Sequence, residues 1–174
     1  MGGRGAASGA SKLSLSDGTA KSSASKFKTA SEMGLPSAKT WNKTDFPIAP
    51  SLISAKRAHA MLESSFSVHD KFGNEVIFDR GVIRHWQEGE LKSGQTKNIP
   101  GRLQHLPLAI DTVKNSRELW EQKGQRSYIK AFRYANGKTI GCKVFVGKNG
   151  ITISYFPNKV NGLETARKGY SLKK

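Results

Sequence analysis

His85, Lys130, Thr152, Ser154 and Arg167 are the side chains of this chain whose types could act together on a phosphodiester. Cleavage of RNA without a metal needs three things. A base takes the proton of the ribose 2′-hydroxyl, an acid protonates the departing 5′-oxygen, and cations hold the charge that builds on phosphorus. Histidine can exchange a proton near neutral pH, Lys and Arg supply charge, and Ser and Thr supply hydroxyl hydrogen bonds. His105, Arg133 and Lys143 belong to the same pool. Metal chemistry is not suggested, because the four histidines are scattered and there is neither an HExxH motif nor a cysteine pair. No P-loop and no GxGxxG after a strand is present either, so neither a cofactor nor a bound metal is expected.

Strand periodicity sorts these residues. Ile140, Cys142, Val144 and Val146 alternate, as do Ile151, Ile153 and Tyr155. If the second set faces a core, Thr152 and Ser154 face the opposite side together with Lys143 and Phe145, a cationic, hydroxyl-bearing and partly aromatic surface of the kind that holds a polynucleotide. Lys130 shares a strand face with Tyr128 and Phe132. Arg102, Arg133, Lys143 and Lys168 are expected to contact phosphates. Each residue also has an ordinary reading: His85 on a helix surface, Thr152 and Ser154 as plain strand residues, Lys130 as a solvated lysine, Arg167 as a tail charge. Cys142 lies on the apolar side of its strand and reads as a small core residue.

The elements that must position these groups follow from composition. Residues 123–174 hold 12 Lys or Arg and one acid, Glu164, and so contribute +11 of the formal net charge of +16. A folded segment with this charge implies a polyanionic partner. Apolar residues are 36% of the chain, low for a fully globular protein. Residues 1–47 are rich in Gly, Ala, Ser and Lys and read as a disordered tail, since ordering costs roughly 1–2 kcal/mol per residue. Trp41 and Phe46 are the exceptions that could touch the domain surface. Pro47 and Pro50 mark the boundary of a domain over residues 48–174.

Within that domain, helical spacing begins near Ser51, a candidate N-cap, and continues through His59. A short strand is expected over residues 75–79, a helix over 81–90 and a loop over 91–101. A helix then opens at Pro107 and runs to about Asn115. A four-stranded antiparallel meander follows, with a type I′ hairpin at Asn136-Gly137. The class is α+β, with N-terminal helices packed on the sheet. Nothing approaches a membrane span or a secretion signal, so a monomeric, cytoplasmic protein is expected, although export without a signal peptide is compatible with the sequence.

The order of motifs resembles the phage-associated barnase–EndoU–colicin–RelE-like nucleases. The resemblance runs over residues 68–172. It rests on Gly73-Asn-Glu-Val-Ile-Phe, the following His85, Leu106-Pro-Leu-Ala-Ile-Asp-Thr-Val-Lys-Asn-Ser-Arg-Glu-Leu-Trp, Tyr128-Ile-Lys-Ala-Phe, Ile151-Thr-Ile-Ser-Tyr-Phe and Ala166-Arg-Lys-Gly-Tyr. Where that family carries a proline before Glu-x-Trp, this chain has Ser116. The resemblance implies a metal-independent endoribonuclease of phage or mobile-element toxin or effector type. It assigns roles to His85, Lys130, Thr152 or Ser154, and Arg167. RNA is then the substrate, and an acidic antitoxin or immunity protein would suit the basic groove. The alternative is a non-enzymatic nucleic-acid-binding protein on the same fold.

Overall fold

The computed structural model describes residues 27–173. Two short 3-10 turns, Ala38–Thr40 and Lys43–Asp45, come first. They are followed by α1 (Ala55–Ser64), β1 (Phe66–His69), β2 (Glu75–Phe78), α2 (Gly81–Ser93), α3 (Ile99–Gln104) and α4 (Leu106–Lys114). Next come β3 (Glu118–Gln122), β4 (Gln125–Arg133), β5 (Thr139–Val146) and β6 (Thr152–Asn158). A 3-10 segment, Val160–Ala166, and β7 (Tyr170–Lys173) complete the described chain. The α+β class with helices before an antiparallel sheet is observed. The sheet, however, has five strands, in the order β6-β5-β4-β3-β7. The strand beyond the expected four is β7, which pairs with β3 through Trp120↔Ser171 and Glu121↔Tyr170. Its alternation, Tyr170-Ser-Leu-Lys, spans only four residues, the shortest run from which a strand is read. A second, two-stranded sheet pairs β1 with β2.

Local chemistry explains most element ends. Helix α1 starts three residues later than expected, because Ser54 and not Ser51 is the N-cap: its Oγ accepts from the Arg57 N–H at 3.1 Å. The expected loop after α2 is interrupted by α3, capped by Asn98, whose Oδ1 accepts from the Gly101 N–H. The β3–β4 hairpin turns at Lys123-Gly124, where both residues have positive φ (53° and 83°), as a type I′ turn requires. At Asn136-Gly137 only Gly137 has positive φ (86°), and the Tyr134 N–H donates to Lys138 O around a longer loop, so the type I′ expectation is corrected there.

The sheet is covered on both faces. On one, α1, α2, α3 and α4 pack over Tyr128, Phe132, Cys142, Val144 and Tyr155. On the other, Trp120, Ile129 and Ala131 are covered by Leu163 and Ala166 of the 3-10 segment and by Ala30, Ala38 and Phe46. The expected tail is therefore too long. Its residues 1–26 lie outside the described residues, while residues 27–47 cross the outer face of the sheet as an ordered strap. Sparse small and aromatic side chains suffice there, because Ala30, Ala38 and Phe46 fill pockets between larger residues.

One buried ion pair fastens these layers. Arg167 donates from Nε to Glu118 Oε1 (2.7 Å) and from Nη2 to Glu118 Oε2 (2.9 Å), and the two side chains are 1% and 4% exposed. Its Nη1 donates to Pro36 O of the strap (2.8 Å) and to Glu164 Oε1 (2.9 Å). Trp120 Nε1 donates to Glu118 Oε1, and the Ala38 N–H donates to Glu164 Oε1. Burial would lower the guanidinium pKa, but the hydrogen bonds and charges of Glu118 and Glu164 outweigh it and raise the value. Removing one member leaves an uncompensated buried charge. Arg167→Met or Glu118→Leu should therefore cost about 3–5 kcal/mol in chemical denaturation, and the double variant should regain part of that loss.

Asp70 plays a similar part for the β1–β2 hairpin. It accepts from the backbone N–H groups of Phe72 and Asn74, from Asn74 Nδ2 and from Tyr128 OH, which tie the hairpin turn to the main sheet. Burial alone would raise its pKa, yet these hydrogen bonds together hold it below the ordinary value. A depressed carboxyl contributes stability above its unfolded-state pKa, near 3.9, and loses it as pH falls through the folded value. Wild type should exceed Asp70→Asn in stability at pH 7, and the gap should close on acidification below about pH 4.

Candidate functional site

The predicted catalytic residues do not form one constellation. His85 is exposed on α2. Lys130, on β4, pairs with Asp111 of α4 at 2.6 Å on the helix side of the sheet, its ammonium 5.2 Å from the Phe132 ring centroid. Arg167 is the structural hub already described. Thr152 and Ser154 are each 1% exposed, so neither lies on an open face. The register shifts between Phe145 and Val146, placing Ser154 opposite Phe145 but Thr152 opposite Val146. Ile153 is the extra residue of this bulge, and a bulge breaks the period of two by which strand faces are read from sequence. Ser154 Oγ accepts from Trp86 Nε1 at 2.7 Å, whereas Thr152 Oγ1 makes no hydrogen bond among the described residues.

The four expected phosphate ligands also divide. Lys143 is roofed by the 3-10 segment: its Nζ donates to Thr165 Oγ1 (2.8 Å) and Gly162 O (3.3 Å), and burial lowers its pKa. Arg133 is taken up by the strap, donating from Nε to Phe46 O at 2.8 Å. Lys168 is exposed beside the strap, where Thr29 bridges to it. Arg102 alone lines an open cavity.

That cavity, about 420 Å³, lies where α3 and the loop before it meet the end of edge strand β6. Lys97, Asn98, Gly101, Arg102, His105 and Pro157 are among its lining residues. The Arg102 guanidinium lies 4.6 Å from the Phe156 ring centroid and 5.6 Å from that of Trp86. Its Nη1 is buried and has no hydrogen-bond partner among the described residues. Burial lowers its pKa, partly offset by the charge of Glu90, but an arginine stays protonated at any working pH. His105 is held through Nδ1, 2.7 Å from Gly101 O. A carbonyl can only accept, so Nδ1 carries the proton and the neutral ring keeps its lone pair on Nε2.

Lys97 reaches the cavity by lying against α2 at Gly89, where a Cβ would come within 2.7 Å of Lys97 Cε. The Lys97 N–H donates to Glu90 Oε2, which fixes the loop to the helix. His85 lies one helical turn before Gly89 on the same flank of α2, next to Trp86, whose ring meets Tyr155 edge-on at 5.0 Å. Ser154 and Arg102 both meet Trp86, His85 is exposed beside it on α2, and Lys130 and Arg167 belong elsewhere. Lys97 carries no signal in the sequence, and the positioning of His105 depends on a helix where polar composition predicts a loop. The turn-forming Asn98-Ile-Pro-Gly run is the available clue.

Among the described residues, no group of three or more His, Cys, Asp or Glu side chains is placed to hold a metal, and no helix is long and apolar enough to cross a membrane. Comparison with protein-family models, curated proteins and solved structures finds no match for this chain.

Cys142 lies under α4, fully buried, and burial pushes its thiol up to about 12. Only the thiolate is reactive. An Ellman assay at neutral pH should therefore register no thiol in the native protein and one per chain after addition of denaturant.

Proposed function

We propose that the protein is a metal-independent endoribonuclease, with the substrate phosphate bound between Lys97 and Arg102. His105 Nε2 takes the proton from the 2′-hydroxyl, O2′ attacks phosphorus and the P–O5′ bond breaks. The departing O5′ takes a proton from an acid, the role this reading gives to the exposed His85 of α2. The products are a 2′,3′-cyclic phosphate and a 5′-hydroxyl. One observation carries this reading: a single cavity is lined both by Arg102, whose buried Nη1 has no hydrogen-bond partner among the described residues, and by His105, whose Nδ1 is held by Gly101 O so that Nε2 is left to accept a proton. An unpaired buried donor is costly, and an anionic oxygen satisfies it best.

The resemblance of the motif order to that of the phage-associated nucleases supports the same reaction class and a toxin or effector role. That role places its action in the cytoplasm of a bacterial host. The excess positive charge favours an acidic inhibitor protein for its producer. The second reading, a nucleic-acid-binding protein without turnover, is favoured by the engagement of Thr152, Ser154 and Arg167 in packing.

The two readings separate when purified protein is incubated with total RNA in EDTA. Discrete cleavage with cyclic-phosphate ends is expected, reduced about a hundredfold or more in His105→Ala and in Arg102→Ala. Intact RNA bound in a salt-sensitive manner would overturn the ribonuclease reading in favour of the binder.

A further inference from the structure

A second cationic cavity, about 410 Å³, lies on the strap side of the sheet. Lys39, Trp41, Lys43, Thr139, Lys159 and Asn161 surround it, and the buried Phe46 forms part of its floor. The lining includes three lysines and no carboxylate. All three are exposed, and among the described residues none is in an ion pair; the ion pairs there belong to Lys130 and Arg167. Three like charges around one concavity, on a floor of buried aromatic surface, raise the local potential and are relieved by a polyanion. The nearest acid in sequence, Asp45, is exposed outside the cavity.

Position gives this cavity its meaning. The Arg102–His105 cavity is lined from the helix layer and this one from the strap, so they lie on opposite sides of the sheet at the same end of β6, with Pro157 lining the first and Lys159 the second. Two residues of extended chain separate them, about 7 Å along the strand. Neither the helix layer nor the strap closes over this end, where Asn158 and Lys159 are exposed.

We infer that the Lys39–Lys43–Lys159 cavity is a second phosphate subsite, and that a single-stranded RNA wraps the end of β6 from one cavity to the other. The inference rests on the ribonuclease reading for its choice of RNA. It deepens that reading by making the substrate a single strand several nucleotides long and not a dinucleotide. Thr139 and Asn161 supply hydrogen-bonding groups to the nucleotide held there.

The test uses a fluorescent single-stranded oligonucleotide of about a dozen nucleotides, fully 2′-O-methylated. It lacks the attacking hydroxyl, so binding is read independently of cleavage. The triple variant Lys39→Ala/Lys43→Ala/Lys159→Ala should weaken binding about tenfold or more. It should also lower the slope of log Kd against log salt by about 0.7 for each phosphate that is no longer neutralised. A charge-matched control, Lys56→Ala/Lys114→Ala/Lys148→Ala, removes three exposed lysines elsewhere and should stay within about twofold of wild type. Equal weakening in both triples, or no change in the first, would overturn the subsite. Wild-type protein that binds this probe through the three lysines yet leaves unmodified RNA intact would defeat the ribonuclease reading alone.

Discussion

The buried pair between Arg167 and Glu118 is the constraint on which the rest of this structure depends. Two opposite charges held out of water are tolerable only when the guanidinium's donors and the carboxylate's oxygens are matched. Here Glu118 comes from the sheet, Glu164 from the segment after β6, and Pro36 from the strap. Meeting that demand forces three distant stretches of chain together and closes the outer face of the sheet. Trp41 completes the arrangement, with the Arg117 and Arg167 guanidinium groups 4.3 and 5.1 Å from its ring centroid.

Closing that face determines where function can reside. A strongly basic meander would, if open, present Lys143 and Phe145 as a broad polyanion-binding sheet surface. Instead Lys143 lies under the 3-10 segment and Arg133 holds the strap. Two cavities lined by cations meet at the end of β6, one from the helix layer and one from the strap. Edge strands expose unpaired backbone and need cover. Here α2 supplies it along the middle of β6 through Trp86, Tyr155 and Ser154, leaving the last residues open for a ligand.

Much of the fold is legible in the chain. Helical spacing places α1, α2 and α4, and alternation places β4, β5 and β6, because each buries a regular stripe against one core. Other features are not legible, each for a physical reason. The strap follows no period, since it fills gaps with Ala30, Ala38 and Phe46 instead of presenting a continuous stripe. Strand β7 is only four residues long, and pairs along the edge that β3 offers it. The bulge at Ile153 leaves no mark in composition, yet it places Thr152 and Ser154 opposite residues of different sheet faces. The role of Arg167 depends on Glu118, 49 residues away in sequence, a pairing that no local pattern encodes. Within the candidate site, His85, His105 and Arg102 are recognisable by type. Lys97 and the orientation of His105 emerge only from the packing of α3 against α2 and β6.

The central claim is that the Lys97–Arg102–His105 cavity recognises an RNA phosphate. A crystal structure of the protein with a nucleoside 3′-monophosphate tests it most directly. The phosphate should lie between the Lys97 ammonium and the Arg102 guanidinium, with His105 Nε2 within hydrogen-bond distance of the ribose 2′-hydroxyl. A nucleotide bound at another place while this cavity holds only water would contradict that claim.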